Sequence, residues 1–218
     1  MNIKTLLRRV SLALALTLLA LTMLSCSASA PLHADLDFTS VDPAKASETT
    51  KVTEYVKITV ADYGDIIIRL YPEVAPKTVE NFQDLVSEGF YDGLTFHRVI
   101  SDFVLQTGDP DGDGRGGSDK EIKGEFRLNG FENNLKHIRG VISMARLGTD
   151  YNSASSQIFI CLESNQKCAS LNGGYAGFGY VVSGMEVADA IAKVRTDSND
   201  KPVTDVVIEK ACFVTFGK

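Results

Sequence analysis

An arginine inside an otherwise apolar, strand-like run is the first place where this sequence could do chemistry. The run is Phe96-His97-Arg98-Val99-Ile100. A guanidinium among such neighbours costs free energy unless it meets a partner or opens onto a polar cleft. The plainer alternative is an edge-strand arginine pointing at solvent. Phe103-Val104-Leu105-Gln106 follows shortly after. Alternate residues of a strand share a face, so Val104 and Gln106 put an amide beside an apolar patch. Gln157-Ile158-Phe159 repeats the device, with Gln157 and Phe159 on one face. Together these residues describe a shallow apolar surface carrying amide and guanidinium donors, which suits a peptide better than a charged metabolite.

Other chemistries fit poorly. Asp109-Pro-Asp111-Gly-Asp113-Gly114 opens like a calcium loop, but Lys120 stands where the bidentate Glu belongs and Pro110 is awkward there. A glycine-rich connection around Gly112, Gly114, Gly116 and Gly117 is the better reading. No strand–GxGxxG–helix unit or phosphate loop is present, and Ser153, Ser155 and Ser156 have no nearby His base. The histidines at 33, 97 and 137 do not cluster and no cysteine pair has zinc-ligand spacing. The expectation is an activity without metal or cofactor.

These residues must be held by a framework rich in strands. Tyr55–Ala61 and Asp65–Leu70 are β-branched and partly alternating, joined around Gly64, and read as a hairpin. Pro76–Glu88 places Val79, Phe82, Leu85 and Val86 at helical spacing, with Pro76 suited to the first turn and Gly89 to the stop. Strand-like runs follow at 95–100, 103–107, 140–145, 157–162, 178–182 and 203–216, with a short helix over Met185–Val194. Many strands, few helices and no βαβ alternation predict a β barrel or sandwich.

At 218 residues with 44% hydrophobic and 23% charged positions, the chain is too apolar to be disordered throughout. A net charge of −6 without a basic run leaves no electrostatic footprint for nucleic acid or anionic lipid. The first residues read separately from the fold. Lys4, Arg8 and Arg9 precede an apolar run from Val10 to Leu24, shorter than the roughly 20 residues of a spanning helix, so residues 1–25 are expected to be an export signal. A retained anchor is the alternative. Met23-Leu24-Ser25-Cys26 resembles the bacterial lipobox, although Leu is preferred where Met23 stands and a smaller residue where Leu24 stands. Cys26 is then the acylation site of a membrane-tethered exported protein; plain secretion is the runner-up. Residues 26–52, rich in Ser, Ala, Thr and Asp with Pro31 and Pro43, read as a flexible tether, and residues 53–218 as one domain. If Cys26 is acylated, Cys161, Cys168 and Cys212 remain: either one disulfide, 161–168 or 161–212, with one thiol, or three reduced thiols.

The block from Phe96 through Arg98, Phe103, Val104 and Gln106 to Gly108-Asp109 resembles the signature of the cyclophilin family of peptidyl-prolyl isomerases. Ile142-Ser143-Met144-Ala145, Ser156-Gln157-Ile158-Phe159-Ile160, Leu171-Asn172-Gly173 and Phe178-Gly179 match further blocks in the right order, so the resemblance covers residues 54–218. It implies a closed eight-stranded antiparallel barrel capped by two helices. It also implies isomerisation of X–Pro bonds, with Arg98 donating to the prolyl nitrogen and Gln106 binding a substrate carbonyl. Phe103, Val104, Phe159 and Leu171 would line the proline pocket. Ala145 and Gln157 would shape the groove, and the backbone of Arg146 would hold the adjacent peptide. Tyr175 stands where the family often has His, and would still wall the pocket. Ser170 replaces a Trp of cyclosporin-sensitive relatives, which implies weak cyclosporin binding. Arg146 and Leu147 replace a common Asn and Ala, and Leu147 narrows the neighbouring pocket. The implied partners are proline-containing peptides and unfolded exported proteins, met by a monomer. A proline-binding module without turnover, on the same barrel, is the rival reading.

Overall fold

The computed structural model describes residues 36–217. The expected export segment 1–25, Cys26 and the start of the expected tether lie outside the described residues. In chain order the elements are β1 (Ala46–Thr49), β2 (Tyr55–Val60), β3 (Gly64–Leu70), α1 (Pro76–Ser87), β4 (Arg98–Val99), β5 (Val104–Thr107), β6 (Val141–Met144), β7 (Ile158–Cys161), α2 (Gln166–Ala169), β8 (Ala176–Ser183), α3 (Met185–Ile191) and β9 (Ile208–Phe216).

The hairpin forms as its pattern predicts. In β2, buried Val56, Ile58 and Val60 alternate with half-buried Tyr55, Lys57 and Thr59, and the pairing with β3 runs from Tyr55 opposite Arg69 to Val60 opposite Gly64. Pro76 opens α1, and Val79, Phe82, Leu85 and Val86 bury one stripe of it. Phe82 packs between Tyr91 and Phe178, with ring centroids at 5.2 and 5.3 Å. The N-cap Ala75 offers no side-chain acceptor. Glu125 supplies it from a distant loop: its carboxylate accepts from Lys77 N at 3.1 Å and from Thr78 N and Oγ1, both at 2.9 Å. An anion at a helix N-terminus satisfies orphan donors and complements the dipole.

All strand pairs in the described residues are antiparallel, in one nine-stranded sheet ordered β1-β9-β2-β3-β8-β6-β7-β5-β4. The expected closed eight-stranded barrel is therefore corrected on two counts. A ninth strand, β1, is present, and no ladder joins β1 to β4 at the two ends of the sheet. Residues just before β4 do turn back on the chain before β9, through one bridge between Thr95 and Val207 and the bonds Phe96 N to Val206 O (2.9 Å) and Ile208 N to Leu94 O (2.8 Å). Register shifts in β2, β3 and β6 bend the sheet toward that meeting. With only two residues, β4 is too short to carry a closing ladder. α1 packs against β8 and β9, and α3 against β3.

The second correction concerns the expected tether. Residues 36–52 are not free: β1 pairs with β9, from Ala46 opposite Phe216 to Thr49 opposite Phe213. Phe38 sets its ring edge-on to Tyr180 at 4.8 Å and Tyr71 at 5.8 Å, and the Tyr71 hydroxyl donates to Asp37 O. Val41 and Ala46 cover Ile67, Val182 and Val214. An apolar patch left by β3, β8 and β9 is what holds this segment down. The cysteine alternatives resolve to three thiols: Cys161 and Cys168 are buried, and Cys212 is half-buried. The Cys168 thiol hydrogen-bonded to Cys161, together with burial, pushes the Cys161 thiol well above its ordinary pKa.

Candidate active site

The register builds the site. Arg98 on β4 stands opposite Gln106 on β5, and Gln106 stands opposite Phe159 on β7. Directly opposed residues share a face, so three strands present guanidinium, amide and phenyl ring in one row. Val104, two residues before Gln106, and Cys161, two after Phe159, extend it as an apolar floor. Phe103, Ala145, Leu171 and Tyr175 pack around that floor, and Tyr175 meets Phe159 edge-to-face at 5.8 Å. The result is a cleft of about 320 Å³, lined by Arg98, Phe103, Val104, Gln106, Ala145, Arg146, Phe159, Leu171 and Tyr175 together with His97, Asp113, Gly114 and Asn199.

The polar groups are chained. Arg98 Nη1 lies 3.4 Å from Gln106 Oε1, Gln106 Nε2 donates to Gln157 Oε1 at 2.7 Å, and Gln157 Nε2 donates to Gly114 O (3.1 Å) and Gly116 O (2.7 Å). Gln157 lines an adjoining cavity of about 240 Å³ rather than the cleft itself. Arg98 also has a carboxylate neighbour, Asp200, with 3.7 Å between Nε and Oδ2. Both side chains are exposed (39% and 46%), so water screens the pair and the guanidinium is not locked away.

Two supports lie outside the row of facing residues. The buried carboxylate of Asp109 accepts backbone N–H bonds from Asp111, Asp113 and Gly114, which folds the 109–117 connection over Gln157. Burial pushes its pKa up, but those amides and the neighbouring His97 hold it below the usual range. Gly108 before it has φ +90°, and a Cβ there would lie 2.3 Å from Ser156 O, so only glycine fits. Beneath the floor, His137 stacks on Phe159 at 5.9 Å. Asn172 Oδ1 accepts from His137 N at 2.7 Å and faces its Nδ1 at 3.1 Å, while Nε2 meets Ser143 Oγ at 2.9 Å. An amide oxygen only accepts, so Nδ1 carries the proton and Nε2 accepts from the hydroxyl. Burial lowers the pKa of this histidine to about 4. His97, behind Arg98, is buried with both ring nitrogens unpartnered, and burial lowers its pKa too.

Sequence reasoning thus found the residues of the apolar floor and the donors. It missed Asp113 and Asn199, which reach the cleft from loops, Asp200 beside Arg98, and the His137 network beneath the floor. Ser170, at the end of α2, is exposed and bonds Lys167 O.

The cyclophilin type peptidyl-prolyl cis-trans isomerase/CLD family profile matches residues 55–212. The chain belongs to this family. Among cyclophilin relatives, the peptidyl-prolyl cis-trans isomerase ppi1 of Schizosaccharomyces pombe is 46% identical over 149 residues, covering 68% of this chain and 92% of that protein. The peptidyl-prolyl cis-trans isomerase-like 1 of Aspergillus fumigatus is 43% identical over 155 residues, covering 71% and 92%. A cyclophilin type isomerase of Cryptosporidium parvum, crystallised in the presence of the dipeptide Ala-Pro, superposes with a TM-score of 0.65 at 31% identity, covering 72% of this chain and 97% of that one. The chain is a cyclophilin-type peptidyl-prolyl cis–trans isomerase, and mainly antiparallel β as its relatives' fold requires.

Proposed function

We propose that the cleft around Arg98 is where this isomerase turns X–Pro bonds, with Arg98 as its cationic donor. The observation that carries the reading is the row Arg98–Gln106–Phe159, which sets two donors beside an apolar notch. Rotation about a peptide bond faces a barrier of about 18–20 kcal/mol because it breaks amide resonance. Uncatalysed prolyl exchange takes on the order of 10–100 s. At the half-turned geometry the prolyl nitrogen becomes pyramidal and regains a lone pair. A donor aimed at it stabilises that state more than the planar one. An arginine at this place presents a planar fork of donors, which Lys does not. Phe103, Val104, Phe159 and Leu171 hold the proline ring; Gln106, oriented by Gln157, binds a substrate carbonyl. Ala145 and Arg146 border the neighbouring residue, and exposed Leu147 narrows the adjoining cavity. Ser170 offers no stacking surface, which supports weak cyclosporin binding.

Arg98→Ala is expected to lower kcat/KM for a Pro peptide about 100-fold in an NMR exchange or protease-coupled assay. Its unfolding midpoint stays near wild type, since the side chain is half exposed. Wild-type activity in that variant overturns the assignment. The first 26 residues support a finer reading, an exported isomerase acylated at Cys26 that assists folding of exported proteins as a monomer. Mass spectrometry of the mature N-terminus tests it: a protein that starts at Met1 excludes it.

A further inference from the structure

The side chain of Arg146 stands in a cage of rings. Its guanidinium carbon lies 4.6 Å from the ring centre of Tyr175, 4.8 Å from Tyr151 and 5.2 Å from Phe126. Phe126 is buried and meets Tyr151 edge-to-face at 5.4 Å. Backbone carbonyls complete the grip: Nε donates to Gly174 O at 3.0 Å, and Nη1 to Leu147 O at 2.8 Å and Gly148 O at 3.3 Å. Arg146 borders both the cleft and the adjoining cavity, whereas Tyr151 and Phe126 border neither.

A long cationic side chain at the mouth of an apolar notch normally samples many rotamers. This one is held among rings that attract it through their π faces, with Nε and Nη1 donating to carbonyls. Fixed in that way it backs Tyr175, which in turn walls the floor at Phe159. We propose that Tyr151 is a positioning residue for the isomerase, acting through Arg146 to hold the Tyr175 wall of the proline pocket. The inference rests on the cleft being the site of turnover. That wall touches the proline ring equally in the planar and half-turned states, so slackening it weakens binding of both. The signature is uniform: KM rises while kcat stays.

The test is steady-state kinetics on a Pro peptide with four variants of the full chain, with thermal unfolding and Arg Nε–H NMR spectra alongside. Tyr151 is 38% exposed, so its replacement leaves the core intact. Tyr151→Ala is expected to raise KM about threefold with kcat within twofold, and to shift the ring-shielded Arg146 Nε–H resonance. Tyr151→Phe, which keeps the ring, restores both. Arg146→Lys raises KM about fivefold, and adding Tyr151→Ala to it raises KM no further. Wild-type KM in Tyr151→Ala overturns the proposal, whether or not its melting temperature falls, as does a double variant whose effects multiply. A wild-type chain that shows no turnover overturns the cleft assignment and the proposal together; turnover lost in Arg98→Ala but unmoved in Tyr151→Ala overturns only the proposal.

Discussion

His137 shows how much of the site hangs on a residue with no chemistry of its own to perform. These partners suit its neutral Nδ1–H form: Nδ1–H donates to Asn172 Oδ1, and Nε2 accepts from the Ser143 hydroxyl. Burial lowers its pKa to about 4, against an ordinary value near 6.5. Between those values the unfolded chain binds a proton that the folded one refuses, so stability falls as pH drops through the window and is complete only above about pH 6.5. The shift amounts to about 3 kcal/mol lost between pH 6.5 and 4, and His97, also lowered by burial, acts in the same direction. Glu48 touches only the acid edge of that window: hydrogen bonds from Lys210 and Lys57 lower it from 4.5 to about 2, so its contribution fades from about pH 4.5 downward. Urea unfolding at pH 7, 5.5 and 4.5 reads the loss, and an NMR titration of His137 assigns it. A His137 that titrates near pH 6.5 defeats the argument. No single-residue pattern announces this histidine, because its partners lie 6 and 35 positions away. Arg98, by contrast, was legible because a charge inside Phe96–Ile100 is locally anomalous.

At the scale of elements, legibility followed period. β2 alternates and α1 repeats its apolar residues at helical spacing, so both stood out in the sequence. β1 did not: Ala-Ser-Glu-Thr has no apolar alternation, its central Ser47 and Glu48 are exposed, and only the register with β9 makes it a strand. α2 is four residues long, too short to show a period. The cap of α1 was hidden for a different reason. Ala75 is a poor N-cap, and the carboxylate that replaces it comes from Glu125, 48 residues beyond Lys77. Glu125→Ala leaves Lys77 N and Thr78 N without their acceptor inside the protein. It should cost about 2 kcal/mol, as the loss of a charged cap does. Thermal unfolding measures this, with kcat/KM near wild type because Glu125 does not border the cleft. A melting temperature equal to wild type would mean that the bonds contribute nothing net.

On the scale of the whole molecule, the family's signature blocks marked residues that line one cleft but said nothing about the segment before Tyr55. Sequence composition made residues 36–52 a tether because polar and small residues dominate there. The structure instead uses three of its apolar side chains, Phe38, Val41 and Ala46, to cover what β3, β8 and β9 leave exposed. A sheet with an uncovered apolar patch is an association hazard, and this cover removes it without touching the cleft. Phe38 is half-buried and packs on two tyrosines. Phe38→Ala should therefore cost about 2 kcal/mol, below the roughly 3–5 kcal/mol of a fully buried phenylalanine. The same variant leaves kcat/KM for a Pro peptide unchanged, since Phe38 does not border the cleft. Denaturant unfolding and the peptide assay on one preparation separate the two effects. If stability held and turnover fell, the N-terminal segment would be part of the catalytic machinery rather than its cover.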